Sequence, residues 1–240
     1  MSDSIVIIPT YNEIENIESI IASVFSQEKK FHVLVVDDNS PDKTGKKVKE
    51  LQQQYKTNLF LLEREEKNGL GIAYISGFKW ALERTYDYIF EMDADFSHNP
   101  NDLISLYNAC VIDGADVSVG SRYVKGITVV NWPMSRIILS YGASRYVRLI
   151  TRMKVKDSTA GFVCYKRSVL EAIDLKKIKF VGYAFQIEMK FKAYKKGFKI
   201  AEIPVIFKDR IKGKSKMSGS IITEAIFGVI NLKWKSLFTK

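Results

Sequence analysis

Asp93 and Asp95, with Ala94 between them, follow the apolar run Tyr88-Ile89-Phe90 after Glu91 and Met92. That position predicts two carboxylates at the C-terminal end of a buried strand, the edge of an α/β sheet at which ligands bind. Along a strand, i and i+2 side chains point the same way. The pair can therefore share one hard divalent cation, Mg2+ or Mn2+, while a phosphate-bearing substrate completes the shell. The competing reading of an isolated D-x-D is a polar turn ending the strand, with Asp95 as a cap for the next segment.

Two more polar loops shift the balance toward a shared ligand. Pro9-Thr10-Tyr11-Asn12-Glu13 follows an apolar run at 5–8, and Asp37-Asp38-Asn39-Ser40 follows another at 31–36. Tyr11 can stack on a base or ribose, and Glu13 and Asp38 can accept hydrogen bonds from base nitrogens or ribose hydroxyls. Structural roles stay open beside these: Pro9 and Tyr11 shape a turn, Glu13 serves the first helical turn, and Asp38 or Ser40 is a cap. Asn68-Gly69-Leu70-Gly71 has too few glycines for a dinucleotide fingerprint, and no Walker lysine motif is present.

The elements that must position these loops are legible as apolar runs alternating with amphipathic segments. Strands are predicted at 5–8, 31–36, 59–62, 88–92 and 116–119. Helices are predicted around Ile14, Ile17, Ile21 and Val24, around Val48, Leu51 and Tyr55, and over 70–84. Asn99-Pro100 predicts a capped helix start running to about Ile112. Near-continuous apolar strands separated by helices imply an α/β protein with a mostly parallel sheet covered on both faces.

The 240 residues suit one large domain, and 46% hydrophobic content can build a core. A net charge of +10 favours a polyanionic partner, whether nucleic acid, anionic membrane or phosphorylated small molecule. Cys110 and Cys164 lie in apolar segments without C-x-x-C spacing, which predicts buried free thiols in a reducing compartment. A strand that begins almost at the N-terminus leaves no room for a signal peptide, and no apolar stretch is long enough to span a bilayer. The expectation is a cytoplasmic chain.

Taken together, Pro9 to Glu13, Asp37-Asp38-Asn39-Ser40-Pro41-Asp42 and Met92-Asp93-Ala94-Asp95-Phe96-Ser97-His98 resemble the inverting family 2 glycosyltransferases of the GT-A fold. More narrowly, they resemble the polyprenyl (dolichyl) phosphate mannose synthases. The likeness continues through Gly120-Ser121-Arg122-Tyr123, the Asp157 to Phe162 block, the Gly182 to Met189 block and the R-x-x-G-x-S-K block from Arg210 to Lys216, the most specific of the set. The resemblance implies a single GT-A domain over 1–240, with a nucleotide-sugar half at 1–120 and an acceptor half at 121–240. It implies metal-dependent, inverting transfer of mannose from GDP-mannose to polyprenyl phosphate without a covalent intermediate. Pro9, Tyr11, Glu13, Val36 and Asp38 would line the guanosine pocket, and Asp93, Ala94 and Asp95 would hold the diphosphate and its metal. Arg122, Arg210 and Lys216 would complete the phosphate-binding set, with Arg122 also serving catalysis. Arg122, Arg136 and Ser140 would take the acceptor phosphate. Ser97 stands where some relatives carry a Gln ligand, and Val163 where many place Arg.

The chemistry agrees with the residues. A phosphate monoester with its second pKa near 6 is mostly dianionic at neutral pH and attacks without a general base. The two histidines, His32 and His98, therefore need no proton-transfer role, and His98 is expected to support the loop or an outer-shell contact. Two phosphates must instead be clamped against their mutual repulsion. From Val117 to Lys156 no acidic residue occurs, whereas Arg122, Lys125, Arg136, Arg145, Arg148, Arg152, Lys154 and Lys156 all do. A helix over 135–152 would place Ile138, Tyr141, Arg145, Arg148 and Arg152 on one face and Leu139, Ala143, Val147 and Ile150 on the other. The first face can lie on anionic headgroups or be an ordinary solvated face.

A second helix, from a cap at Ser218-Gly219-Ser220 to about Trp234, packs on the domain or lies in an interface. An acceptor-side extension is expected from segments 160–166 and 198–205 and this last helix, with Gln186 and Glu188 either facing the site from a helix beginning near Ala184 or serving its first turn. Peripheral binding to the cytoplasmic face of a membrane, or a membrane-protein partner, would bring the enzyme to its lipid. The alternatives are a related synthase using another donor such as UDP-glucose and, from a different class, a nucleic-acid-binding protein on an inactive fold. Absence of aromatics interleaved on the basic stretch disfavours the latter.

Overall fold

Buried β-branched runs form the centre of the protein, and helices cover both of its faces. The structure is a computed structural model describing residues 2–182, 184–209 and 219–238, with side chains for all of these except 219–226 and 237–238. Its first half runs β1 (Ser4–Thr10), α1 (Ile17–Phe25), β2 (His32–Asp37), α2 (Thr44–Tyr55), β3 (Leu59–Glu63), α3 (Leu70–Leu82), β4 (Tyr88–Glu91), α4 (Leu103–Val111) and β5 (Val117–Ser121). The second half adds β6 (Val129–Val130), α5 (Met134–Thr151), β7 (Val163–Lys166), α6 (Arg167–Ala172), α7 (Ala184–Lys195), β8 (Ile200–Pro204), β9 (Phe207–Lys208) and α8 (Gly219–Phe238).

The main sheet has seven strands in the order β3-β2-β1-β4-β7-β5-β8, and a second pair joins β6 to β9. All neighbours in the main sheet are parallel except at β7, which is antiparallel to both β4 and β5. The expectation of a mostly parallel sheet flanked by helices is met. Two segments of the expected acceptor-side extension supply β7 and β8, which are integral strands of the central sheet. Residues 163–166 form too short a segment to announce their direction. An antiparallel insertion also needs no crossover helix that could be read from the sequence.

Two cores sit on opposite faces of the sheet. Ile5, Ile7, Leu34 and Val36 pack under α3 and α7, while Val6, Ile8, Val33 and Val35 pack under α1, α2 and α4. Alternation along β1 and β2 sends successive side chains to opposite faces, and both faces are dry. Cys110 and Cys164 are free and buried in the second of these cores. Asn99 accepts a hydrogen bond from the Asn101 N–H, and Pro100 opens the short turn leading into α4, as the Asn-Pro pair predicts.

A third cluster, Val147, Met153, Ile187, Phe191 and Val229, joins α5, α7 and α8. It seats α5 through Ser144, Val147 and Thr151, leaving Ile138, Tyr141, Arg145, Arg148 and Arg152 exposed as the periodicity predicts. Leu139 departs from its predicted inward face and is 40% exposed, as is Leu149 at 78%. The stripe that packs is narrow and small-residued, so α5 offers its neighbours less than half of its apolar side chains.

Helix α3 lies very close to β1 at Gly77, where a Cβ would stand 2.6 Å from Ile7 Cγ2. Glycine inside a helix normally costs about 0.5–1 kcal/mol relative to alanine, so this contact sets the helix-to-sheet distance at the expense of helix propensity. Gly77→Ala is therefore expected to destabilise the protein by about 1–3 kcal/mol despite the gain in propensity. A denaturant titration showing equal or higher stability would contradict this packing.

Candidate active site

At the C-terminal edge of the sheet, the loops after β1 and β2 are stitched together by polar side chains with divided duties. Asp37 is the internal support. Its Oδ1 accepts from Thr10 Oγ1 at 2.8 Å and Ser40 Oγ at 2.6 Å, and its Oδ2 from the Ser40 N–H at 3.0 Å. Ser40 Oγ in turn accepts from the Asn12 N–H, and Thr44 Oγ1 from the Glu13 N–H. Asp42 Oδ1 caps the start of α2 by accepting from the Thr44 N–H, so the cap falls to Asp42 and not to Asp38 or Ser40. Asn12 and Asn39 take the left-handed conformation that short polar side chains tolerate.

The expected base-pocket residues gather around this frame. Pro9 pairs with Val36 across the ladder and Thr10 with Asp37, so Tyr11 and Asp38 leave neighbouring strands side by side. The Lys67 ammonium lies 4.2 Å from the centre of the Tyr11 ring. Asn16 Nδ2 donates to Glu13 Oε2. Val36 is fully buried in the core. It can form only the floor beneath a ligand. Asp38 is paired with Arg64 and has its carboxyl raised above the usual range by burial, an effect that the Arg64 charge opposes.

Strand β4 ends at Glu91, so Asp93 and Asp95 stand in the loop beyond it. The strand alternation expected to align them does not operate there. The loop holds each of them by its own contacts. Asp95 Oδ1 accepts from the Ser97 N–H at 3.1 Å, Phe96 is left-handed at φ 60°, and the Asp93 N–H donates to His98 Nδ1 at 3.0 Å. A left-handed aromatic residue is a conformational cost retained where the backbone must be aimed. Tyr74 on α3 donates its hydroxyl to Asp93 Oδ1 at 3.3 Å and stays protonated, because burial raises its pKa well above the ordinary value.

His98 is buried, and that burial lowers its pKa, so it is neutral with Nδ1 as acceptor. It is an orienting residue, as expected. Hard carboxylate oxygens of Asp93 and Asp95 suit Mg2+ or Mn2+, and among the described residues no cluster of three His, Cys, Asp or Glu side chains occurs. That donor set fits an ion carried by two carboxylates with substrate phosphate and water, and not a closed protein cage.

Behind the loop lies a buried polar layer. Lys190 Nζ donates to the carbonyls of Ala160 and Gln186 at 2.6 and 3.1 Å and to Gln186 Oε1 at 3.3 Å. Burial pushes the Glu91 carboxyl up to about 8 and the Lys190 ammonium down to about 8, each opposed by the other's charge. Gln186 does face this region: its Nε2 is 3.8 Å from where a Gly161 Cβ would be, and His98 Cε1 is 3.6 Å from the same point. Glu188 does not serve the site directly. Its Oε2 accepts from the Lys179 and Phe180 N–H groups and its Oε1 pairs with Lys192.

The cationic side is built on the segment after β5. Arg122 makes a two-point pair with Asp157, Nε to Oδ2 at 2.7 Å and Nη2 to Oδ1 at 2.6 Å, and Nη2 also reaches Thr159 Oγ1 at 2.8 Å. Among the described residues, only Nη1 of this fork carries no protein hydrogen bond. Arg136 Nη1 donates to Asp209 Oδ1 at 2.8 Å, with the guanidinium 3.9 Å from the Trp132 ring centre. Ser140 Oγ accepts from the Tyr123 hydroxyl at 2.8 Å.

Trp132 also lies 5.4 Å from the Arg122 guanidinium, so a single indole serves both arginines. Phe207 touches Trp132 and His98 edge-on, at 5.2 and 5.6 Å. An aromatic spine, His98-Phe207-Trp132, thus joins the acidic loop to the arginine pair. Sequence reasoning misses Tyr74, Trp132 and Phe207, because an isolated aromatic carries no spacing signal. Arg210 and Lys216 lie outside the described residues.

Comparison with known proteins places the chain in a family. The glycosyl transferase family 2 model matches residues 5–174. The chain is 47% identical over 226 residues to polyprenol monophosphomannose synthase of Mycolicibacterium smegmatis, covering 94% of this chain and 85% of that one. It is 43% identical over 235 residues to undecaprenyl-phosphate mannosyltransferase of Micrococcus luteus, covering 96% of each. Among solved structures, glucosyl-3-phosphoglycerate synthase from Mycobacterium tuberculosis, crystallised with Mn2+ and UDP, superposes with a TM-score of 0.68 at 16% identity, over 99% of this chain and 80% of that one. That likeness is one of fold. With a family match over most of its length and relatives 43–47% identical along nearly all of it, the chain belongs to glycosyl transferase family 2 and is a glycosyltransferase.

Proposed function

We propose that the enzyme transfers mannose from GDP-mannose to the phosphate of a polyprenyl phosphate, by direct displacement with inversion. The observation that carries this reading is the pairing of two oppositely charged clusters across one aromatic spine, in a chain 43–47% identical to two polyprenyl-phosphate mannosyltransferases. Pro9, Tyr11, Glu13 and Asp38 hold the guanosine, with Val36 beneath. Asp93, Ala94 and Asp95 face the diphosphate. Asp93 and Asp95 would hold a divalent cation, which would supply Lewis-acid stabilisation of the departing nucleoside diphosphate. Tyr74 holds the Asp93 carboxylate and His98 the Asp93 main chain, and neither exchanges a proton with substrate.

Arg136, the Nη1 nitrogen of Arg122 and Ser140 orient the acceptor phosphate. Their charge offsets its repulsion from the donor diphosphate. No protein base is required, because the acceptor enters largely as its dianion. Arg210 and Lys216 are assigned to the donor phosphates on the resemblance alone.

The exposed arginines of α5 support peripheral docking. Arg145, Arg148, Arg152 and Lys154 rim a shallow concavity with Leu149, and Ile138 and Tyr141 extend the same helix face toward Arg136. On α8, Phe227 at 69% and Trp234 at 64% exposure leave further apolar surface in water. Among the described residues no helix is long and apolar enough to cross a membrane. Basic side chains mixed with exposed apolar ones suit an anionic lipid surface better than nucleic acid.

Asp95→Asn is expected to remove metal-dependent transfer while leaving the melting temperature within a few degrees, and undiminished turnover would take Asp95 out of the site. For Arg136→Ala, a rise of about tenfold or more in KM for the lipid acceptor is expected, with little change in KM for the donor. A donor-only effect would contradict its acceptor role. Charge reversal at Arg145, Arg148 and Arg152 together should abolish flotation with vesicles containing anionic lipid while sparing transfer to detergent-dispersed acceptor. Flotation equal to that of the unaltered protein would exclude this face as the docking surface.

A further inference from the structure

Lys190 is a fully buried ammonium that no step of the proposed transfer uses. It lies inside α7 among Phe185, Ile187, Met189 and Phe191, all of them buried as well. Its three donors are all taken, by the Ala160 carbonyl at 2.6 Å, the Gln186 carbonyl at 3.1 Å and Gln186 Oε1 at 3.3 Å. Each of these oxygens is neutral. The charge that opposes the penalty of burial comes chiefly from Glu91 at the end of β4, and next from Asp157.

Burying an ammonium is unfavourable, and an apolar side chain of similar length would seat α7 without it. Stability is therefore a weak reason for this lysine. What the ammonium adds is its shortest bond, which reaches out of α7 to the turn 157–162. That turn is anchored at its two ends: the Asp157 N–H donates to Glu202 Oε1 at 2.9 Å, and the Phe162 carbonyl accepts from the Gly120 N–H at 2.8 Å. Between the anchors, the Ala160 N–H makes a long bond of 3.4 Å to the Asp157 carbonyl, and Lys190 grips the Ala160 carbonyl from behind.

Ala160 stands between two residues that touch opposite sides of the site. Thr159 Oγ1 accepts from Arg122 Nη2 at 2.8 Å, and Phe162 stacks at 4.9 Å on His98, whose Nδ1 accepts from the Asp93 N–H. We propose that Lys190 is a positioning residue for sugar transfer: by clamping the turn at Ala160, it fixes the spacing between the arginine side and the acidic loop. This inference rests on the reading of Arg122 and Asp93 as two sides of one reaction site. A displaced turn would leave each cluster able to bind its own substrate while setting the reacting groups apart, and a misplacement of about 1 Å can lower a rate by about a hundredfold.

The test is steady-state transfer by the full chain from GDP-mannose to polyprenyl phosphate in detergent with Mg2+ or Mn2+, the active fraction being counted by GDP binding. Lys190→Met is expected to lower kcat by about tenfold to a hundredfold while each KM changes by less than about threefold, the split left by an interaction that acts in the transition state. Because Lys190→Met leaves Glu91 without its main opposing charge, the double variant Glu91→Gln with Lys190→Met, which removes both charges, covers poor folding of the single one. Its melting temperature should return toward that of the unaltered protein while kcat stays low. Thr159→Ala, which loosens the same turn from the Arg122 side, should combine with Lys190→Met to less than the product of the two separate losses.

Recovery of kcat together with the melting temperature in the double variant would mean a merely structural pair and would overturn the inference. So would an unchanged kcat in Lys190→Met, with or without a rise in one KM, or losses from Thr159→Ala and Lys190→Met that multiply in full. Absence of transfer by the unaltered protein, or full turnover by Arg122→Ala, would remove the reading of the site and this inference together.

Discussion

The buried pair between Arg122 and Asp157 is the contact on which the cationic half of the site depends. An arginine that is 7% exposed beside an aromatic cluster is tenable only with its partner in place; breaking such a pair by removing one member costs about 3–5 kcal/mol. Asp157 accepts from the Arg122 N–H as well as from its side chain, and its own N–H donates to Glu202 Oε1. The same Glu202 oxygen accepts from Ser121 Oγ at the end of β5, and its Oε2 from the Lys156 N–H. One buried network therefore fixes the end of β5, the edge strand β8 and the segment 156–159. The guanidinium that emerges from it is aimed by these contacts, and among the described residues its Nη1 carries no protein hydrogen bond.

This explains why the acidic and basic clusters are held on rigid parts. The proposed reaction needs two anions close together, and a flexible clamp would relax away from their repulsion instead of opposing it. Asp93 is anchored by His98 and Tyr74 to the sheet and to α3, and Arg136 by Asp209 and Trp132 to the β6 and β9 pair. Phe207 belongs to β9 and touches both His98 and Trp132. The short second sheet, with only two residues on each strand, thus acts as the plate that ties acceptor side to donor side.

Much of this was legible in the sequence. Period and length gave β1 to β5 and their helices, because parallel strands buried on both faces read as continuous apolar runs. Polar residues beyond β1, β2 and β4, three neighbouring strands of the sheet, pointed to one edge of it. The parts that stayed hidden depend on long-range pairing. Nothing local marks 163–166 as antiparallel, and the division of labour between Asp37 and Asp38 depends on Thr10 and Arg64, which lie on or beside other strands. Leu139 fits a helical period yet faces water, because the packing stripe of α5 is narrower than the sequence suggests. Asp93 and Asp95 were expected at the end of a strand and stand in the loop beyond it.

That difference bears on how the acidic loop works. In a strand, the direction of both carboxylates would be set by the pleat and would be insensitive to their neighbours. In a loop it is set by individual contacts: the Ser97 N–H on the Asp95 carboxylate, the Tyr74 hydroxyl on the Asp93 carboxylate, His98 on the Asp93 main chain, and a left-handed Phe96 that turns the chain after Asp95. His98 holds its place by stacking on Phe162 at 4.9 Å, and Phe162 belongs to the same 157–162 segment that carries Asp157. The neutral imidazole is therefore a mechanical link. On one side it accepts from the loop that bears the carboxylates, and on the other it leans on the segment that aims Arg122. Displacing that segment would misalign both charge clusters at once, which makes the packing of His98 against Phe162 as consequential for catalysis as any residue that touches substrate.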